Sequence, residues 1–99
     1  MKINIVEQDT TILFSVKGYL DTTTSSKFEE VLSPYLEGEK NFLFDFAELE
    51  YVSSAGLRVI LRTAQTMEDT NRTISVRNSN EEVLEVFGLT GFDEFLILE

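Results

Sequence analysis

The chain has no cysteine and no histidine among its 99 residues, and only one proline. Without cysteine there is neither a disulfide framework nor a thiolate zinc site. Without histidine the usual general base and the commonest metal ligand are both missing. Positive charge is scarce as well: 8 basic residues against 18 acidic ones give a net charge of −10. Such a surface repels phosphate backbones and anionic lipid, so nucleic acid and membrane surfaces are poor partners; a partner with a basic patch, or no charged partner at all, fits better, and the acidity also serves solubility. Long apolar runs are absent too; none approaches the roughly 20 residues that span a bilayer. Residues 1–15 lack the basic start and long apolar core of a signal peptide. The expectation is a cytoplasmic protein.

Apolar surface is nevertheless sufficient for folding. Hydrophobic residues make up 42% of the chain and aromatics 11%, with eight phenylalanines. A chain of this length builds one core and not two. No linker, repeat or low-complexity stretch divides it, so residues 1–99 are read as a single domain.

Ile3 and Ile5 alternate with polar residues, as do Ile12, Phe14 and Val16. Both runs read as strands, joined through Glu7–Thr10, and Gly18 is expected to break the second. Phe28, Val31, Leu32, Tyr35 and Leu36 then lie on one helical face. Asp21 and the following threonines are positioned to cap that helix. Pro34 is expected to kink or tighten its last turn, and Gly38 to end it. "NFLFDF" (41–46) is a nearly continuous apolar run, the pattern of a central strand covered on both faces. Phe42, Phe44 and Phe46 point one way, Leu43 and Asp45 the other. Helical spacing returns with Leu57, Ile60, Leu61, Ala64 and Met67, while Arg58, Arg62 and Gln65 fall on the opposite face. Ile74 and Val76 mark another strand. Ser79 lies three residues before Glu82, a capping-box pattern ahead of a helix through Val83, Leu84 and Phe87, which Gly88 is expected to stop. "GFDEFLILE" closes the chain as a strand or a docked tail. The order β-β-α-β-α-β-α plus a short segment calls for a small sheet with parallel pairs and covering helices.

The chemistry concentrates in "DFAELEYVSSAGLRVIL", Asp45 to Leu61, read as a buried strand, a short loop and a helix. Ser53 or Ser54 falls at the helix's amino end, where free N–H groups and the helix dipole favour negative charge. Gly56 costs about 1 kcal/mol of helix stability relative to Ala, and a close backbone approach is the natural compensation. Asp45 reads as a structural acceptor for loop N–H groups.

"FDFAELEYVSSAGLRVIL" (44–61) resembles the signature segment of STAS domains, the fold of bacterial anti-sigma factor antagonists. "VKGYLD" (16–21) and "VFGLTGFDEF" (86–95) are similar to two further family elements, in the family's order along nearly the whole chain. The resemblance implies an α/β fold of the STAS type, a small mixed β-sheet of four to five strands packed with α-helices. It puts Ser54 at the family's regulatory phosphoserine and Ser53 at a position often occupied by Asp. It implies a partner surface made of Asp21, Thr22, Ser53, Ser54, Ala55, Gly56, Leu57 and Arg58, with Arg62 flanking it. It also implies a cycle. The unphosphorylated protein binds an anti-sigma factor with serine kinase activity and so frees the sigma factor. Phosphorylation of Ser54 ends that association, and a serine phosphatase resets it. No cofactor or metal is expected. A phosphate would add about −1.5 to −2 charges and three acceptor oxygens at a helix end, altering binding with little change of fold.

Three rivals are weighed against this. A serine hydrolase lacks a histidine base, and Val52 breaks the G-x-S-x-G elbow. A paired-carboxylate hydrolase using Asp21 and Asp45 has nothing in the sequence to select it. A receiver-like domain phosphorylated on Asp45 lacks an evident acidic cluster for magnesium and is short for a doubly wound fold. A further possibility lies inside the family: a non-phosphorylated STAS subunit, for example of a lipid-transport ATPase complex. The serines and threonines of residues 22–26 are read as a polar helix start, not a second phosphosite.

Overall fold

The computed structural model describes residues 1–99. Five strands and three α-helices follow in the order β1 (Lys2–Glu7), β2 (Thr11–Leu20), α1 (Thr22–Leu36), β3 (Asn41–Val52), α2 (Ser54–Glu68), β4 (Ile74–Arg77), α3 (Glu81–Thr90) and β5 (Ile97–Leu98), with a 3₁₀ turn at Phe92–Glu94 before β5. The strands lie side by side in chain order as one five-stranded sheet. β1 and β2 form an antiparallel hairpin, and every later pairing is parallel. No helix is long and apolar enough to cross a membrane.

Strands that follow in chain order through right-handed crossovers place all their helices on one face. One core of 21 buried residues results, combining Phe14, Phe42, Phe44 and Phe46 from the sheet with Phe28 and Leu32 of α1, Val59 and Ile60 of α2, and Val83 and Phe87 of α3. The expectation that β3 is covered on both faces is therefore corrected. Leu13, Ser15, Leu43 and Asp45 are only half-buried, on the face that carries no helix.

β3 also corrects the expected short loop after residue 46. It runs unbroken to Val52, paired with β2 as far as Leu20. Its register shifts twice: β2's Ser15 and Lys17 pair with Asp45 and Glu48, then Gly18 and Tyr19 with Leu49 and Tyr51. Each shift is a bulge with one extra residue on β3. The buried positions consequently fall at Phe46, Leu49 and Val52, three apart instead of two. Gly18, with φ +108°, sits at the second irregularity and does not break β2.

The other boundaries move less. Asn80 caps α3, its Oδ1 accepting from the Val83 N–H at 2.8 Å. The Ser79 hydroxyl, expected to do this, is buried without a partner. α3 passes through Gly88 and stops at Gly91, which is left-handed at φ +77°. The closing segment adds a strand, β5, alongside β4.

Candidate functional site

Parallel pairing brings the carboxyl ends of β2, β3 and β4 together, and each strand there hands over to a helix. Leu20 pairs with Val52, and the Ser53 N–H donates to the Leu20 carbonyl at 2.8 Å. Asp21 and Ser53 thus leave neighbouring strands side by side, each as the cap of the helix that follows. Asp21 Oδ1 accepts from the N–H groups of Thr23 and Thr24, both at 2.9 Å, while Thr24 Oγ1 accepts from the Asp21 N–H at 2.9 Å. The Thr24 N–H, the Thr24 hydroxyl and the Thr23 N–H hold the Asp21 carboxyl below its ordinary value.

The two adjacent serines differ in what they touch. Ser53 Oγ accepts from the Gly56 N–H at 3.3 Å, and its carbonyl accepts from the Leu57 N–H at 3.0 Å. Ser54 is the first residue of α2 and is exposed, with no hydrogen bond from its hydroxyl. Ala55 and Leu57 are half-buried, and Thr22 and Arg58 are exposed on the same rim. Gly56 is buried. A Cβ added there would lie 2.8 Å from Leu20 Cβ and 3.0 Å from Val52 Cγ1. The close approach expected for this glycine is made by the chain itself, so Gly56 shapes the rim from beneath and does not reach its surface. Arg62 is engaged elsewhere, paired with Glu29 of α1 at 2.7 Å. Arg58 has no carboxylate partner within the chain.

Asp45 lies within β3 and not at its end. Partial burial pushes its carboxyl upward, but the Ala47 N–H, the Asn78 amide and the Arg77 guanidinium outweigh that and hold it below the ordinary value. Oδ1 accepts from the Ala47 N–H at 3.0 Å and Oδ2 from Arg77 Nε at 3.2 Å. The carboxylate thus closes the first bulge and ties β3 to the end of β4. No group of three or more carboxylates is placed to hold a metal ion.

Two features of this end are not evident from sequence. Tyr19 and Tyr51 pair across β2 and β3, and each is about half exposed, at 50% and 52%. Asn80, besides capping α3, donates through Nδ2 to the carbonyls of Leu49 and Glu50 at 3.2 and 3.3 Å. The start of α3 is thereby fixed to the second bulge. The tyrosines' signal is present in "GYLD" and "EYV", where each aromatic precedes a core residue and must point away from it. The role of Asn80 depends on a bulge that no periodicity announces.

These elements define a class: a small α/β module with a five-stranded sheet, three helices that begin at one rim, and an exposed serine at the start of the second. The STAS domain family model matches residues 2–99, and the chain belongs to that family. It is 28% identical over 93 residues to BtrV of Bordetella bronchiseptica, covering 93% of this chain and 80% of that one. To the anti-sigma-B factor antagonist of Staphylococcus epidermidis it is 25% identical over 97 residues, covering 97% and 90%. Among solved structures it resembles the Bacillus anti-sigma factor antagonist SpoIIAA. The unphosphorylated form of that protein superposes with a TM-score of 0.80 at 15% identity, covering 99% of this chain and 87% of the other. Its phosphorylated form gives 0.79 at 16% identity, covering 99% and 91%.

Proposed function

We propose that this protein is an anti-sigma factor antagonist that works by partner switching and is not itself an enzyme. Its unphosphorylated form binds an anti-sigma factor with serine kinase activity and frees the sigma factor. Phosphorylation of Ser54 by that kinase ends binding, and a serine phosphatase restores it. The observation that carries the reading is the division of labour at the start of α2. Ser53 makes the capping bond, which leaves the adjacent Ser54 hydroxyl exposed and unengaged.

Elementary electrostatics supplies the rest. To be phosphorylated, Ser54 must lie against the γ-phosphate of the kinase's nucleotide. After transfer the phosphoserine faces the phosphates that remain, and like charges at close range repel. Within the chain the new charge is tolerated, because the N–H groups of Ser54 and Ala55 at the helix start have no backbone partner and the dipole favours an anion. Asp21, Thr22, Ser53, Ala55, Leu57 and Arg58 frame the partner surface, with Gly56 beneath it. Ser53 can replace the family's common Asp because Ser and Asp are comparable N-caps. It does so without placing a carboxylate beside the phosphate.

The test is to incubate the protein with ATP and a purified anti-sigma factor kinase, then map the product by mass spectrometry. The expected product carries one phosphate, on Ser54, and Ser54→Ala abolishes it. Phosphate on another residue, or undiminished labelling of Ser54→Ala, contradicts the proposal.

A further inference from the structure

Next to Ser54 lies a surface that the phosphorylation chemistry does not use. Tyr19 and Tyr51 stand together at the carboxyl end of the sheet, half in water. From Tyr51 a shallow, mostly apolar groove runs between β3 and α3, lined by Tyr51, Val52, Glu82, Val83 and Val86. Alongside it, Glu50, Asn80, Glu81 and Glu82 line a depression with no apolar side chain. Glu82 borders both, so they form one continuous strip. Neither depression contains a basic residue. The strip is also rigidly placed, because Asn80 Nδ2 bonds to the Leu49 and Glu50 carbonyls and holds the start of α3 against β3.

We propose that this strip is a second docking surface, with Tyr19 and Tyr51 as anchors and Glu50, Glu81 and Glu82 as its charged edge. Its occupant is a folded protein that presents lysines or arginines around an apolar socket. Exposed tyrosines are among the residues that most often dominate interface energetics, since each brings a large apolar area at small entropic cost. The carboxylate edge selects the sign of the partner and steers its approach. Tyr51 is three residues before Ser54, at the end of β3 where α2 begins, which puts the strip's apolar end on the same rim as the serine and within reach of one partner. The inference rests on the function proposed above and identifies the anti-sigma factor as that occupant. The strip differs from the serine in what it does: it contributes affinity and on-rate, and the serine decides release.

The experiment measures association and dissociation rates of a purified anti-sigma factor kinase with the wild-type chain and with Tyr51→Ala, Glu50→Lys and Glu68→Lys. Glu68 lies at the far end of α2 and is exposed, so its variant makes the same charge change away from the strip. Tyr51→Ala is expected to speed dissociation about ten-fold or more. Glu50→Lys is expected to slow association several-fold at low salt, a deficit that disappears as salt rises, while Glu68→Lys behaves as wild type. Melting temperatures of all variants verify folding. If wild type binds and both strip variants match it in rates and salt dependence, the strip is not an interface although the proposed function stands. Failure of wild type to bind at all overturns the proposed function, and the strip's role with it.

Discussion

Ser53 and Ser54 are chemically identical and adjacent, yet one turn of backbone geometry gives them different work. Ser53 has extended backbone and caps α2, whereas Ser54 is already helical and its hydroxyl faces solvent. Removing the cap should cost about 1 kcal/mol of folding stability, and Ser53→Asp, an equivalent cap, should cost little. Ser54→Ala should leave stability unchanged within about 0.5 kcal/mol. Urea unfolding of the three variants checks this; a destabilised Ser54→Ala beside an unchanged Ser53→Ala would reverse the assignment. Asp21 and Asp45 carry a pH dependence. Both carboxyls are held below their ordinary value in the fold, Asp21 chiefly by the Thr24 N–H, and Asp45 by Ala47, Asn78 and Arg77 against the pull of partial burial. A depressed folded pKa means that the stabilisation is fully present above the unfolded value, near pH 3.9, and is lost as pH falls through the folded value. These two groups should therefore lower the melting temperature as pH falls below about 4, by less in Asp21→Asn. A melting temperature independent of pH across that range would contradict the cap geometry.

At the level of elements, legibility followed periodicity. The hairpin, α1, the first half of β3 and β4 carry clean spacings of two or about 3.6, and they form where those spacings put them. The second half of β3 read as a loop because two bulges stretch its buried positions to intervals of three, at Phe46, Leu49 and Val52. A bulge is set by the pairing partner and by what satisfies the displaced backbone, so its causes lie in other elements. Here they are Asp45, which accepts from the Ala47 N–H, and Asn80, which donates to the Leu49 and Glu50 carbonyls. Arg72 is another such case. Buried in the turn between α2 and β4, it donates to the carbonyls of Leu36 at 2.6 Å and Tyr35 at 3.3 Å, placing a cation at the end of α1 where the helix dipole is negative. No local pattern marks it. Because Asn80 serves a helix and a strand at once, Asn80→Ala should cost about 2 kcal/mol, the upper end for a single cap. It should also increase amide exchange at Leu49–Val52 as well as in the first turn of α3. Exchange raised in α3 alone would show that the bulge holds without it.

Across the whole molecule, sequential strand order has one consequence that shapes the rest. It stacks three helices on one face and brings their amino ends to a single rim, the place where open α/β sheets present ligands. At the candidate site Asp21 and Ser53 were legible as caps from short local motifs, whereas Ser54 was singled out only by the resemblance of residues 44–61 to the STAS signature. The burial of Gly56, the pairing of Arg62 with Glu29 and the juxtaposition of Tyr19 with Tyr51 were not legible, because each depends on elements distant in the chain. The net charge of −10 favours a basic partner at long range, and in the proposed cycle a phosphate on Ser54 is what dismisses it.

The most direct test of that division is calorimetric titration of a purified anti-sigma factor kinase with two forms of the chain, unphosphorylated and stoichiometrically phosphorylated on Ser54. The account predicts that the phosphorylated form binds about a hundred-fold more weakly or worse, with unchanged circular dichroism, since desolvating the phosphate beside like charges costs several kcal/mol. Equal affinity of the two forms, with both folded, would contradict it.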